Sequence, residues 1–205
     1  MRAYLGSHLT PKLQLGCGAN LLPGWLNTDR GAHAARATYL DAARPFPLPA
    51  ASFDRVLCEH LIEHLERETG AAMLAECARV LRPGGRIRVS TPDLTVVAKL
   101  VEAGRSGDEV AARYVHWCAE GFLSGADGDR PGLVVNQLFY GWGHRFLYDH
   151  DTLAHALVAN GFERVCRHPY GRSDDPELEG IDSHADEDNL EMVAYETLVL
   201  EAQRR

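Results

Sequence analysis

The chain has 205 residues, of which 45% are hydrophobic and 24% are charged, and its formal net charge is −8. This length predicts a single domain over residues 1–205, and this composition excludes disordered, collagen-like and disulfide-scaffold classes. Residues 173–191 hold nine acidic side chains and no Lys or Arg, which leaves 21 basic and 20 acidic residues elsewhere. Because nucleic acid binding through phosphates needs a basic surface, we expect no nucleic acid partner.

The five cysteines are scattered along the chain and form no C-x-x-C pair. Such usage indicates neither a disulfide framework nor a thiolate zinc site, and it is typical of a reducing compartment. The first 16 residues lack the apolar run of a secretory signal, and no stretch approaches the roughly 18 apolar residues of a membrane span. We therefore expect a cytoplasmic protein with no membrane partner.

Short apolar runs alternate with helix-period patterns along the chain. The predicted strands are residues 12–15, 25–29, 37–41, 53–58, 86–90, 162–168 and 192–200. The predicted helices are residues 63–81, a segment after Asp93, residues 108–122 and residues 151–160. This alternation predicts a Rossmann-like, doubly wound, mostly parallel α/β sheet of about seven strands, with helices on both faces.

The turn after the first predicted strand is the first candidate binding site. Ligands of such sheets bind beyond the carboxyl ends of the strands, where Gly16 and Gly18 let the backbone pass close to a ligand. The turn lacks the third glycine of the dinucleotide motif and has no G-K-[ST] sequence, which disfavours a diphosphate ligand. A tight turn without a binding role is the alternative.

Several motifs follow one another in a specific order over the first half of the chain. They are L-G-C-G at 15–18, Asp29 and Asp41 at the next two strand ends, F-P-L-P-A-A-S-F-D at 46–54, E-H-L-I-E-H-L at 59–65 and A-R-V-L-R-P-G-G at 78–85. In this combination the chain resembles the class I S-adenosylmethionine-dependent methyltransferases, within a compact subgroup that has a shortened first crossover. H-R-F-L-Y at 144–148 and N-G-F at 160–162 resemble the family's later helix and strand.

The resemblance implies S-adenosylmethionine as the cofactor and a set of residues that bind it. Gly16 and Gly18 would lie against the methionine moiety, Asp29 would accept hydrogen bonds from both ribose hydroxyls, and Asp41 would lie by the adenine. Only 11 positions separate Gly18 from Asp29, against roughly 20 in a dinucleotide fold. Loop capping is the alternative role for the two aspartates. The full expected set is Leu15, Gly16, Cys17, Gly18, Asn20, Asp29, Leu40, Asp41, Cys58 and Glu59.

Residues 60–64 also match H-x-x-E-H, the inverted zinc-peptidase pattern. Zinc binding would need His60 and His64 on one face of a regular helix, together with a third ligand. No third ligand is recognisable in the sequence, and the motif fits the methyltransferase pattern without a metal ion. We therefore expect no metal site.

Methyl transfer needs an acceptor placed opposite the leaving sulfur and, for a hydroxyl or ammonium acceptor, a group that removes a proton. The candidate bases are His144, His60 and Glu59, because their segments are expected to approach the cleft. A surface or structural role is the alternative for His144.

Acceptor elements are expected around residues 106–149. Within them Tyr140, Trp142 and Tyr148 are candidates for the wall of an acceptor pocket or, alternatively, for core packing. The acidic loop at residues 173–191 is expected to be either a mobile lid or a solvated loop.

The predicted function is methyl transfer to an oxygen or nitrogen atom of a small soluble acceptor, such as a secondary metabolite or a saccharide. Two alternatives stay open. One is a protein that binds S-adenosylmethionine without transferring its methyl group. The other is a nicotinamide-dependent oxidoreductase, against which the missing third glycine argues. The oligomeric state is open, with a homodimer among the options.

Overall fold

The computed structural model describes residues 2–31, 37–124 and 128–205, and its centre is a seven-stranded sheet. Residues 125–127, within the predicted acceptor elements, lie outside the described residues. The strands are β1 (Lys12–Leu15), β2 (Leu26–Asp29), β3 (Thr38–Tyr39), β4 (Phe53–Glu59), β5 (Leu81–Pro92), β6 (Phe162–His168) and β7 (Thr197–Arg204).

Eight α-helices accompany the sheet in the described part of the chain. They are α1 (Arg2–Ser7), α2 (Arg67–Val80), α3 (Leu94–Leu100), α4 (Ala103–Ser106), α5 (Glu109–Phe122), α6 (Pro131–Asn136), α7 (His150–Ala159) and α8 (Leu190–Glu196). A 3₁₀ turn at Ile62–His64 precedes α2, and a π-helical turn at Gln137–Gly141 follows α6.

The strands lie in the order β3-β2-β1-β4-β5-β7-β6. The first five of these pair in parallel, whereas β7 runs antiparallel to both β5 and β6. The predicted mostly parallel, doubly wound α/β sheet is therefore confirmed. The carboxyl ends of the parallel strands β1, β2 and β4 meet at one edge of the sheet. This places the glycine turn beside Asp29, at the end of β2, and beside the motif at 59–65, which begins at the end of β4.

Two predicted elements differ from the structure. The helix predicted from residue 63 begins at Arg67, because the carbonyl of Glu63 accepts hydrogen bonds from the amides of Arg145 and Phe146 at 2.7 and 3.2 Å. That carbonyl is therefore not free to start the helix, and Leu65 is extended. The strand predicted at 192–200 is instead the end of α8 followed by β7, since an apolar run alone does not distinguish a buried helix from a buried strand.

The main core lies on one face of the sheet. Ile87 and Val89 of β5 point into it, where Leu74 of α2 and Leu153 of α7 pack against them, and all four side chains are fully buried. This alternation along β5 leaves Arg88 on the opposite face.

On that opposite face the acidic segment lies where the short first crossover provides no helix. Leu178 is fully buried there against Leu57 of β4 and Trp25, which immediately precedes β2. Part of the segment that the sequence predicted to be a lid or a solvated loop is thus a layer of the fold.

Ion pairs hold this layer to the sheet. The side chains of Arg88 and Asp182 are both fully buried and pair with each other, and Arg88 also donates to Glu201 Oε1 at 2.6 Å. Arg55 of β4 pairs with Asp175 at 2.5 Å. Because a buried guanidinium is costly without its partners, the segment cannot leave the sheet without a large loss of free energy.

We predict that Asp182→Ala lowers the free energy of unfolding by about 3–5 kcal/mol, because it leaves Arg88 buried with an incomplete set of partners. Urea unfolding followed by circular dichroism measures the change. Glu187→Gln, at an exposed position of the same segment, is the matched control and should change stability by less than about 0.5 kcal/mol. Equal stability of the two variants would contradict the structural role of the segment.

Candidate functional site

The glycine turn adopts a backbone that requires glycine at two positions. Gly16 and Gly18 have φ angles of 62° and 51°, and a Cβ on Gly16 would lie 3.0 Å from Leu61 Cδ1. The amide of the intervening Cys17 donates to Thr28 O at 3.0 Å, which fastens the turn to β2. The turn therefore presents bare backbone at the end of β1.

The carboxylate of Asp29 fixes the glycine turn from the end of β2. Its Oδ2 accepts from the amide of Gly18 at 2.9 Å, and its Oδ1 accepts from the amide of Gly31 at 2.5 Å. A carboxylate offers about four acceptor positions, so roughly two remain for a ligand.

Gly16 and Asp29 line an open cleft of about 560 Å³. Four members of the predicted cofactor site have surfaces in it, namely Gly16, Asp29, Leu40 and Asp41. The cleft continues across Leu61 and His64 to Gly143 and Arg145. The sequence motifs of the first half thus converge with a segment of the second half.

Other predicted cofactor residues have their side chains elsewhere. The side chains of Leu15 and Cys58 lie in the main core, where burial raises the pKa of the Cys58 thiol well above its usual value. The side chain of Cys17 is also buried. Asn20 donates to Ser183 O in the acidic segment. At Leu15, Cys17 and Cys58 only the backbone is available to a ligand in the cleft.

Glu59 is an anchor for the acidic segment. Its carboxylate accepts from the amide and hydroxyl of Ser183, both at 2.8 Å, and from the amide of His184 at 3.0 Å. The hydroxyl of Tyr170 lies 3.4 Å away. With these donors around it, Glu59 positions residues 183–184 at the end of β4.

A second cavity of about 250 Å³ adjoins the cleft. His64 lines both cavities, and Gly143 of the cleft is followed directly by His144 of the second cavity. We call this space the aromatic cavity. Its lining residues are His60, Glu63, His64, Pro92, Trp117, Phe122, Trp142, His144, His184 and Glu196.

Only one of the three predicted wall aromatics contributes to the aromatic cavity. Trp142 lines it and packs edge-on against Phe122 at 4.9 Å between ring centroids. Tyr148 is buried in the main core instead, and Tyr140 is 77% exposed on the surface. The core-packing alternative therefore holds for Tyr148.

His60 and Glu63 form a buried charge pair at the cavity. Burial lowers the pKa of His60, but contact with Glu63 outweighs it and the net pKa is raised. Burial raises the pKa of Glu63, but the same contact leaves it lowered. His60 also has a φ of 44°, an uncommon backbone for a residue other than glycine, which is frequent at functional sites.

Two other histidines of the cavity, His144 and His184, are held as neutral rings. Burial lowers the pKa of His144, whose Nδ1 lies 2.5 Å from Leu138 O and so carries the hydrogen. Burial, followed by the neighbouring charge of His60, lowers the pKa of His184 to about 4. The sequence did not predict that His184 and Glu196 line this cavity. The position of His184 beside His60 depends on the path of the acidic segment.

Residues 33–89 match a family model described as "Methyltransferase domain". A 47-residue segment is 53% identical to a "Probable S-adenosylmethionine-dependent methyltransferase" of Mycolicibacterium smegmatis, and it spans 23% of this chain but only 18% of that relative. The fold is similar to that of S-adenosylmethionine-dependent methyltransferases from Archaeoglobus fulgidus (TM-score 0.56, 16% identity, 99% of this chain and 90% of that one) and Mesorhizobium loti (TM-score 0.52, 18% identity, 99% and 96%).

The order of the sheet agrees with these matches. A dinucleotide-binding sheet has the order 3-2-1-4-5-6, whereas here the antiparallel β7 lies between β5 and β6. Residues 33–89 are thus similar to a methyltransferase domain, and the whole chain has a fold similar to that of the class I methyltransferases. The resemblance recognised in the sequence is therefore confirmed. In the described residues, no helix combines the length and apolar character that crossing a membrane requires.

Proposed function

We propose that this protein is a methyltransferase that moves the methyl group of S-adenosylmethionine to an oxygen or nitrogen atom of a small soluble acceptor, such as a secondary metabolite or a saccharide. The observation that supports the proposal is the common wall of the two cavities, since His64 lines both. A cofactor in the cleft and an acceptor in the aromatic cavity would meet at this wall. A protein that only bound the cofactor would need no second cavity.

The features of the cleft suit S-adenosylmethionine. Gly16 and Gly18 would hold the methionine moiety, because their bare backbone leaves room that a side chain at Gly16 would fill. The free acceptor positions of Asp29 match the two donors of a ribose diol, and Leu40 and Asp41 lie where the adenine would extend. When bound, the cofactor supplies a methyl group already activated by a positively charged sulfur.

We predict that Asp29→Ala weakens binding of S-adenosylhomocysteine about 10- to 100-fold, because a charge-assisted ribose interaction of about 1.5–3 kcal/mol is lost. Isothermal titration calorimetry measures the affinity, and a thermal unfolding curve verifies the fold of the variant. Asp151→Ala, at an exposed carboxylate on α7, is the control and should bind normally. An unchanged dissociation constant for Asp29→Ala would remove Asp29 from the site.

The aromatic cavity offers the acceptor both shape and a proton acceptor. Trp117, Phe122 and Trp142 would pack against an apolar ring or carbon skeleton. His60 has its Nδ1 3.3 Å from Glu63 Oε1 and its Nε2 3.2 Å from Thr197 Oγ1. A carboxylate at one ring nitrogen stabilises the positive charge that the ring gains when it takes a proton.

Of the three predicted bases, we assign proton removal to His60, whose Nε2 would exchange its contact with the Thr197 hydroxyl for the acceptor while Nδ1 stays on Glu63. Glu59 is excluded from our assignment because its oxygens hold Ser183 and His184. His144 keeps one ring nitrogen on Leu138 O.

We predict that His60→Gln lowers kcat about 10²- to 10⁴-fold, the usual contribution of a general base, while the affinity for S-adenosylhomocysteine is retained. Release of S-adenosylhomocysteine is measured with a panel of saccharides, hydroxylated metabolites and amines. His155→Gln, on the exposed side of α7, is the matched control and should turn over normally. Full activity of His60→Gln would show that positioning alone suffices.

The same acceptor panel, together with calorimetric titrations of S-adenosylmethionine and NAD, separates the alternative functions. Tight binding of the cofactor without turnover on any acceptor would favour a binding protein. Tighter binding of NAD than of S-adenosylmethionine would favour an oxidoreductase.

A further inference from the structure

Two groups of three side chains around the aromatic cavity bring metal-binding atoms within 4.8 Å of one another. In the first group, His60 and His184 stack with ring centroids 3.9 Å apart and an interplanar angle of 11°. An imidazole binds an ion in the plane of its ring, so two parallel stacked rings cannot share one ion. The second group consists of Glu63, His64 and His144 and has no such conflict, because its two rings meet at 71°.

Glu63 carries an acceptor atom without an aligned hydrogen-bond donor in this second group. Its side chain is fully buried, and its Oε2 accepts from Thr91 Oγ1 at 3.0 Å. Its Oε1 lies 3.3 Å from His60 Nδ1, yet it receives no well-aligned hydrogen bond from the described residues. A buried carboxylate oxygen whose one close partner is a poorly aligned imidazole keeps a lone pair that can bind an ion.

His144 is oriented as a metal-binding histidine usually is. Its Nδ1 donates to the carbonyl of Leu138, which fixes the ring and leaves Nε2 with a lone pair. The ring centroid of His64 lies 4.9 Å from that of His144.

The backbone holds the two parts of this group together without an ion. The amides of Arg145 and Phe146, which directly follow His144, donate to the carbonyl of Glu63. The turn that carries Glu63 and His64 is therefore fixed against the segment that carries His144. Because the two segments are already fixed, the protein would lose little further conformational entropy when its side chains bind an ion.

We propose that Glu63, His64 and His144 bind a divalent transition metal ion of the zinc class. Two imidazoles and one carboxylate are a donor set that suits such ions, and three protein ligands leave a fourth position open. The open position lies at the wall of the aromatic cavity; resting on the proposed function, it would take the oxygen or nitrogen of the acceptor and make its proton easier to remove. The expectation of no metal site was based on the absence of a recognisable third ligand, and in this proposal His144 is that ligand.

The experiment titrates the full chain, freed of metal with a chelator and carrying no histidine tag, with Co²⁺ and then with Zn²⁺. Visible absorption bands of bound Co²⁺ report ligand number and geometry, and calorimetry reports the stoichiometry of Zn²⁺. The expected result is one ion per chain, with bands of a four- or five-coordinate ion.

Three variants assign the ligands. His64→Gln and His144→Gln should each weaken Co²⁺ binding more than about tenfold, and Thr91→Val, which removes the hydroxyl that orients Glu63, should weaken it about 10- to 100-fold. His184→Gln and His155→Gln should bind as the parent chain does. Absence of one-to-one binding, equal affinity of His64→Gln and the parent, or a loss confined to His184→Gln would each overturn the proposal.

Binding of S-adenosylhomocysteine is measured on the same samples. Loss of the metal site with normal nucleoside binding would refute this inference and leave the proposed methyl transfer standing. Binding of one metal ion per chain without binding of the nucleoside would refute the proposed methyl transfer and leave the metal site standing.

Discussion

The buried guanidinium of Arg88 determines how the second face of this sheet is built. It lies on β5, an interior strand of the sheet, on the face opposite the main core, and it needs anionic partners because its burial is costly alone. Asp182 and Glu201 provide them, and Asp182 belongs to the acidic segment. That segment therefore folds onto the sheet at the place where the short first crossover leaves it uncovered, and Leu178 completes the contact with Trp25 and Leu57.

The position of the acidic segment in turn shapes the site. Directly after Asp182, residues 183 and 184 reach Glu59 at the end of β4, and the ring of His184 stacks on His60. The part of the aromatic cavity formed by His184 thus depends on the ion pair between Arg88 and Asp182. Part of the charge that made this segment conspicuous in the sequence attaches it to the sheet, at Asp175 and Asp182.

The sequence predicted what depends on local pattern. The glycine turn, the strand ends at Asp29 and Asp41 and the alternation of strands and helices all follow from short-range backbone and burial rules, and the cleft brings Gly16 and both aspartates together. Contacts between distant segments were not predictable in this way. No periodicity shows that the carbonyl of Glu63 will bind the amide of Arg145, although this bond both delays α2 and places His144 beside His64.

The sequence also did not show which individual side chains at the strand ends are buried in the core. Cys58 and Tyr148 occupy promising positions in the sequence, but the core face of the sheet takes both of them. His184 and Glu196 carried no signal, because their place in the cavity follows from the path of the acidic segment and from the helix α8 that precedes β7. The role of a residue at the end of a strand therefore depends on which face its side chain points to.

The most direct measurement is a crystal structure of the full chain with S-adenosylhomocysteine. Its sulfur atom marks where the transferable methyl group would stand. We predict that the ribose contacts Asp29 and that the sulfur opens toward the aromatic cavity at the wall formed by His64. A nucleoside bound outside the cleft, or a sulfur facing away from that cavity, would contradict the proposed transfer between the two spaces.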